Sequence, residues 1–305
     1  MEEMIFSGIG DEMAIEKFIP EIWAKQFDKE LEKDLVFYEN CNHKYEGQAK
    51  QPGDTIKILG LGQPTLTSYT DGKLHAVPTP EAIQDLSQTM PIRHIEEFAF
   101  YVDDLEKRQA EGGSGLLAEY MSSVKYQVAD KQDSFIGSLV ADPNVAKAYT
   151  AGSEPTLVAG TAGSGEKNIL EAIDTALLML LENNVKRRDT ITLTAPPKFV
   201  QMLKNAYVEL DTDNSEMMRN GRVGRYAGII IKESNNCYKT GSAGSVVSQI
   251  QVKTNNAIAF VKPYLHLESY RPDGFFQDAV KGYSLYDGKV VKPKEIINLN
   301  VKLGD

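Results

Sequence analysis

Gly160 to Lys167 (GTAGSGEK) is the stretch whose residue types come nearest to ligand chemistry, because glycines ahead of a lysine can cradle a phosphate on backbone N–H groups. That chemistry needs Gly-Lys followed by Ser or Thr, the lysine meeting the terminal phosphates and the hydroxyl binding magnesium. Here Glu166 stands before Lys167 and Asn168 follows it, so a carboxylate would repel phosphate and the magnesium ligand is missing. The segment reads as a linker into a capped helix, with no nucleotide bound. His43, His75, His94 and His266 show no metal spacing and stand beside no nucleophile motif, which makes them surface or interface residues. Asp103-Asp104 and Glu96-Glu97 are adjacent pairs that point different ways in a regular element, so they suit solvation rather than acid/base work. Cys41 and Cys237 form no Cys-x-x-Cys or Cys/His cluster. Arg219, Arg222 and Arg225 (RNGRVGR) form the densest basic cluster, open to three readings: a nucleic-acid contact, a pairing with acidic residues of a neighbouring subunit, or a solvated loop. No catalytic, cofactor or metal constellation assembles.

Composition narrows the class. The 305 residues carry 33 Lys plus Arg against 43 Asp plus Glu, a formal charge of -10, which argues against a duplex-binding protein that relies on neutralising phosphates. Lining a container of DNA without gripping it remains compatible with that charge. A hydrophobic content of 42% is enough for a real core in one large or two ordinary domains. No apolar run approaches the ~20 residues of a membrane span, and MEEMIFSGIGDEM lacks the basic start and apolar block of a signal peptide. The expectation is a chain made and used in a cytoplasm.

The elements come next. Phe18, Ile22, Trp23, Phe27, Leu31 and Leu35 recur at three- and four-residue steps, an amphipathic helix from Glu16 to Phe37 with Pro20 in its first turn. That helix either belongs to the core or packs on an adjacent subunit. Asp54 to Leu59 alternates, with Ile56 and Ile58 on one face, and Phe98, Phe100 and Val102 mark a second strand. Between them, Leu61 to Pro91 holds four prolines and no core pattern, too long for an ordinary connection; apolar residues at its tip and flanks, among them Leu66, Tyr69, Leu74 and Val77, favour a functional arm over a linker. After Gly112 to Gly115, a long helical pattern from Leu117 to Leu139 is stopped by Asp142-Pro143. Lys167 to about Asn183 is a second helix, with Ser164 as its cap. A strand at 189–195, a short helix from Pro196-Pro197 through Leu203, and strands at 227–231, 246–252 and 257–264 follow. Helix, strand, helix and strand in this order give a mixed α+β domain.

The order of FIPEIW, a charged helix ending in Leu35-Val36-Phe37, then Tyr45-Glu46-Gly47, then Gly53 to Ile58 (GDTIKI) resembles the opening of tailed-phage major capsid proteins of the HK97 fold. From about Phe18 onward most of the chain follows that family, its middle by element order more than by motif. The resemblance implies an α+β subunit with an N-terminal arm (1–42), an extended E-loop hairpin and flanking strands (43–102), a peripheral domain with a long spine helix (103–150), a central domain (151–255) and a return into the peripheral domain (256–305). It implies a structural protein of the virion that forms pentamers and hexamers of itself around double-stranded DNA, with no enzymatic role and no cofactor. Its partners would be the portal protein and, since only about seventeen residues precede Phe18, a separate scaffolding protein or none; no membrane is involved. Phe18, Ile22, Trp23, Phe27, Leu66, Tyr69, Leu74, Val77, Arg219, Arg222 and Arg225 are the candidate interface residues. The alternatives are an encapsulin-type shell around protein cargo and an unrelated cytoplasmic enzyme.

Overall fold

The computed structural model describes residues 35–46, 55–58, 65–73, 76, 82, 87–103, 113–186, 190–209, 224–242, 245–274 and 276–304. The strands, in chain order, are β1 (Thr55–Ile58), β2 (Gln88–Pro91), β3 (His94–Asp103), β4 (Ala146–Lys147), β5 (Thr156–Val158), β6 (Glu166–Asn168), β7 (Ile191–Ala195), β8 (Arg225–Tyr226), β9 (Ile229–Glu233), β10 (Tyr238–Thr240), β11 (Val247–Thr254), β12 (Ile258–Tyr270), β13 (Gln277–Val290) and β14 (Ile296–Leu303). The helices are α1 (Gly113–Ser138), α2 (Ile169–Glu182) and α3 (Pro197–Glu209). The fold is the expected α+β mixture. The helix expected over Glu16 to Phe37 lies almost wholly outside the described residues.

A nine-stranded mixed sheet forms the centre, in the order β6-β5-β14-β11-β7-β9-β8, with β10 also on β11 and β4 also on β14. Its two faces differ in chemistry. Ile250 and Val252 of β11, Ile297, Leu299 and Val301 of β14, and Leu193 of β7 pack with Ile169, Ile173, Leu177 and Leu180 of α2 and with Phe199 and Leu203 of α3 in one dry cluster. The residues between them, Gln249, Gln251, Lys253, Asn298 and Asn300, are buried as well, on the opposite face. Because both faces are covered, β14 (IINLNVKL) shows no exposed residue although its sequence alternates apolar and polar like a half-exposed strand.

The elements end where local chemistry ends them. Asn168, and not Ser164 as expected, caps α2, its Oδ1 accepting the N–H of Leu170 at 2.8 Å; Ser164 falls in the turn before β6. At the other end Asn184 takes a left-handed φ of 65°, the Val185 N–H reaches the Leu180 carbonyl and the Asn184 N–H the Leu181 carbonyl, which closes the helix in a Schellman turn. Helix α3 runs on to Glu209, six residues beyond the expected stop at Leu203. The strand expected at 227–231 starts later, at Ile229, because Ala227 and Gly228 (φ 47° and 88°) are the two-residue turn of the β8–β9 hairpin. Strand β12 extends to Tyr270, past the expected Tyr264.

The second sheet has three long antiparallel strands, β12-β13-β3. Phe100 on one face lies 5.0 Å from Tyr120 of α1, ring centre to ring centre, and Gln132 of α1 donates to Ser284 of β13 at 3.1 Å. Helix α1 thus covers that face. On the other face the β1–β2 hairpin packs at one end, where Ile56, Ile58, Met90 and Ile92 bury against Ala259, Val261 and Leu285. The alternation expected over Asp54 to Leu59 holds across the described Thr55–Ile58, with Ile56 opposite Met90 in the pair. One expectation needs correction: residues 88–91 belong to the core and not to an arm, since Met90 is fully buried and β2 is hydrogen-bonded to β1.

Candidate assembly surfaces

Three regions bear on what the chain does: the polar joint that sets the two sheets against each other, the loop between β1 and β2, and the outer end of the three-stranded sheet, on the face opposite α1.

The joint is built from the polar face of the central sheet. The last turn of any helix leaves carbonyls unpaired, and in α1 the amide of Gln251 supplies the missing donor, to the Ile136 and Gly137 carbonyls at 2.8 and 3.1 Å. Asn298 does the same for Val140 at 3.2 Å and also meets Gln249 at 3.0 Å. Gly137 lets this end of the helix approach the turn at Asn236, whose carbonyl would sit 2.5 Å from a Cβ there. From the same helix Asp133 accepts the N–H of Phe37 at 2.8 Å, the N–H of Tyr38 at 3.1 Å and the Asn236 amide at 3.1 Å. Burial raises its carboxyl pKa, against the lowering pull of those donors. Lys253, 1% exposed, donates to the Asn40 carbonyl and lies 3.9 Å from Cys41 Sγ. Burial lowers the lysine and raises the Cys41 thiol, and it pushes Cys237 up to about 12. A high-pKa thiol is a poor nucleophile, and the contacts of this cluster hold residues 37–41 against α1 and β11. The cluster anchors residues 35–42, the last part of the segment expected as an arm (1–42), where Phe37, Asn40 and Cys41 are buried.

In the loop between β1 and β2, residues 65–73 are exposed, Leu66 at 87% and Tyr69 at 51%. Leu66 and Tyr69 thus share one outward stretch. Arg225 is elsewhere, on the edge strand β8 of the central sheet, exposed. Phe18, Ile22, Trp23, Phe27, Leu74, Val77, Arg219 and Arg222 lie outside the described residues.

The third surface escaped the sequence reading. Strand register puts Tyr270, Ala279 and Tyr101 in one row across the three strands, and Glu268, Lys281 and Ala99 in the next row on that face. Tyr101 is 68% exposed, and Phe276, on the turn between β12 and β13, is 83% exposed. Lys281 pairs with Glu268 at 3.3 Å and lies 4.8 Å from the ring centre of Tyr270. Aromatic side chains held outward on a rigid hairpin offer apolar area with little entropy left to lose. The alternation of Ile95, Glu97, Ala99 and Tyr101 with inward residues was the available signal.

The glycine-rich stretch at 160–167 is closed upon itself. Glu166 takes the Gly163 N–H at 2.9 Å, the position a phosphate oxygen would need, and Lys167 lies over the Tyr149 ring at 5.2 Å. Asn168 ties back to the Gly160 carbonyl at 2.9 Å. Among the described residues no group of His, Cys, Asp and Glu could hold a metal ion, and no helix is long and apolar enough to cross a membrane.

No family model matches the sequence, and comparison with curated protein sequences gives no match. Solved structures do match over nearly the whole chain. A chain of Mycobacterium phage Che8 is 24% identical, with a TM-score of 0.69 over 92% of this chain and 96% of that one. The cyanophage P-SCSP1u capsid gives 15% identity and 0.67 over 93% and 92%. The mature capsid of bacteriophage PhiM1 gives 16% identity and 0.65 over 100% and 93%. The fold is that of phage capsid subunits.

Proposed function

We propose that this chain is the repeating subunit of an icosahedral phage head, a structural protein that forms pentamers and hexamers of itself and closes around double-stranded DNA. The observation that supports this best is the end-to-end likeness to chains of the P-SCSP1u and PhiM1 capsids, over 93% and 100% of this chain. In this reading residues 1–42 are the arm, 43–102 the E-loop and its strands, 103–150 the peripheral domain with α1 as its spine, 151–255 the central domain and 256–305 the return. Phe18, Ile22, Trp23 and Phe27 of the arm and Leu66, Tyr69, Leu74 and Val77 of the loop lie against neighbouring subunits, and Arg219, Arg222 and Arg225 face acidic neighbours, DNA or solvent. Many modest contacts of this kind add up through multivalency, which holds a shell together without one strong interface. The portal protein is the further partner, with a separate scaffolding protein or none. Assembly takes place in the host bacterial cytoplasm and the product resides in the virion.

Size-exclusion chromatography followed by electron microscopy of the purified protein tests the proposal. Capsomers or closed shells are the expected outcome; a monomer at high concentration, with and without neighbouring phage gene products, would overturn it. A second arm replaces Leu66 to Ala82 by a short Gly/Ser turn. Since Leu66 and Tyr69 are exposed and the buried Met90 is retained, the variant should fold with near-native circular dichroism and fail to build stable shells.

A further inference from the structure

A cleft of about 570 Å³ lies between the end of α2 and the short turn at Pro293–Glu295 that precedes β14. Two segments more than a hundred residues apart line it, one bringing Lys186 and the other Lys292 and Lys294, all three exposed. In a chain of net charge -10 this gathering of like charge goes against the average.

The cleft is held on a rigid frame. Val185 is buried as the apolar anchor of the Schellman turn and so sets the direction in which Lys186 leaves the helix. The Asn183 amide donates to the Lys294 carbonyl at 3.3 Å and ties the two walls together. The one carboxylate in the lining is already engaged: Glu295 pairs with Lys292 at 2.8 Å and accepts the Thr254 hydroxyl. Carbonyls at the end of α2 that would repel an anion are closed by the backbone N–H groups of residues 183–185.

We propose that this cleft receives the phosphate backbone of duplex nucleic acid. The inference rests on the capsid reading, which supplies a packaged duplex. The lining suits that occupant: flexible lysines act as point charges on phosphate, whereas an acidic peptide would want an exposed apolar anchor, and Val185 is buried. Lysine contacts to phosphate carry no sequence information. The contact is weak and salt-dependent, since Lys292 is held by Glu295 and the two phosphates met by Lys186 and Lys294 give roughly a 12-fold loss of affinity between about 50 and 200 mM salt.

Fluorescence anisotropy of a labelled 30-base-pair duplex against the full-length protein tests it, with a Lys186→Gln/Lys294→Gln variant and a charge-matched control, Lys125→Gln/Lys204→Gln. Salt-dependent binding that the cleft variant loses, with a salt slope reduced by about 2, while the control keeps it, is the expected result. No binding by the native protein at low salt, equal weakening of both variants, or binding of a poly-glutamate peptide in place of the duplex would each overturn the inference. Electron microscopy of the same samples scores shell formation separately, so that shells without duplex binding reject the cleft and leave the capsid reading standing.

Discussion

The two faces of the central sheet are equally buried and do different work. Against α2 and α3 the face is apolar throughout, from Leu193 to Val301. Against α1 and residues 35–42 it presents Gln251, Lys253 and Asn298, each hydrogen-bonded to a backbone carbonyl. Apolar burial is non-directional and stabilises in proportion to area, so the first face would tolerate small shifts of its helices. A buried amide is directional and costly to leave unmade, so the second fixes one angle between α1 and the sheet. A subunit that must repeat identical contacts around a shell profits from such a fixed angle. The outer face of the three-stranded sheet is a third case: Tyr101 and Phe276 are held outward, and Tyr270, half-exposed, meets Lys281.

The largest effect is expected on the apolar face. Leu193→Ala, at a fully buried position in β7, should cost about 2–5 kcal/mol. In urea denaturation the midpoint should fall with the slope unchanged. A loss under 1 kcal/mol would mean that the site collapses freely and that the two faces are not so different.

On the polar face the expected cost is smaller, and its origin is different. Gln251→Leu keeps most of the volume but removes the donor to Ile136 and Gly137, which should cost about 1–3 kcal/mol. If Gln251→Leu were stabilising, the amide would not be what holds the angle of α1.

Asp133 sharpens the contrast through pH. Burial raises its carboxyl pKa in the folded protein above the unfolded value, so between those two values the native state binds more protons than the unfolded one. Its contribution to stability is fully present below the unfolded pKa and is lost as pH rises through the folded pKa. Unfolding free energies measured across that acidic window should show this decline for the native protein and a flatter profile for Asp133→Asn. Identical profiles would show that Asp133 does not titrate differently on folding.

The smallest effect on stability belongs to the outer face. Tyr101→Ser with Phe276→Ser should change unfolding free energy by no more than roughly 0.5 kcal/mol, as for surface positions generally. Analytical ultracentrifugation under assembling conditions should nevertheless show fewer large particles. Normal assembly would mean that this aromatic surface serves no contact between subunits.

Much of this was legible in the order of residues because local physics governs it. The alternation at Ile56 and Ile58, the periodic run into α1 with its stop at Asp142-Pro143, and the apolar stripe of α2 each follow from one element's own period and its terminators. The mismatch of Glu166 with a phosphate loop was equally readable, and the loop indeed spends that carboxylate on Gly163. What only the tertiary structure decided depends on partners distant in sequence. Strand β14 alternates Ile297, Leu299 and Val301 with Asn298, Asn300 and Lys302, the pattern of a half-exposed strand, and only the tertiary structure buries the asparagine side as well, Asn298 against the Val140 carbonyl and Asn300 against that of Tyr149. Lys253 reads as a surface residue until Asn40 and Cys41 fold over it. Lys186 and Lys294 belong to one cleft only because the Schellman turn and the turn before β14 meet. A single element's period specifies which of its sides turns inward, whereas the chemistry waiting on that inside is set by whichever chain segment the topology brings there.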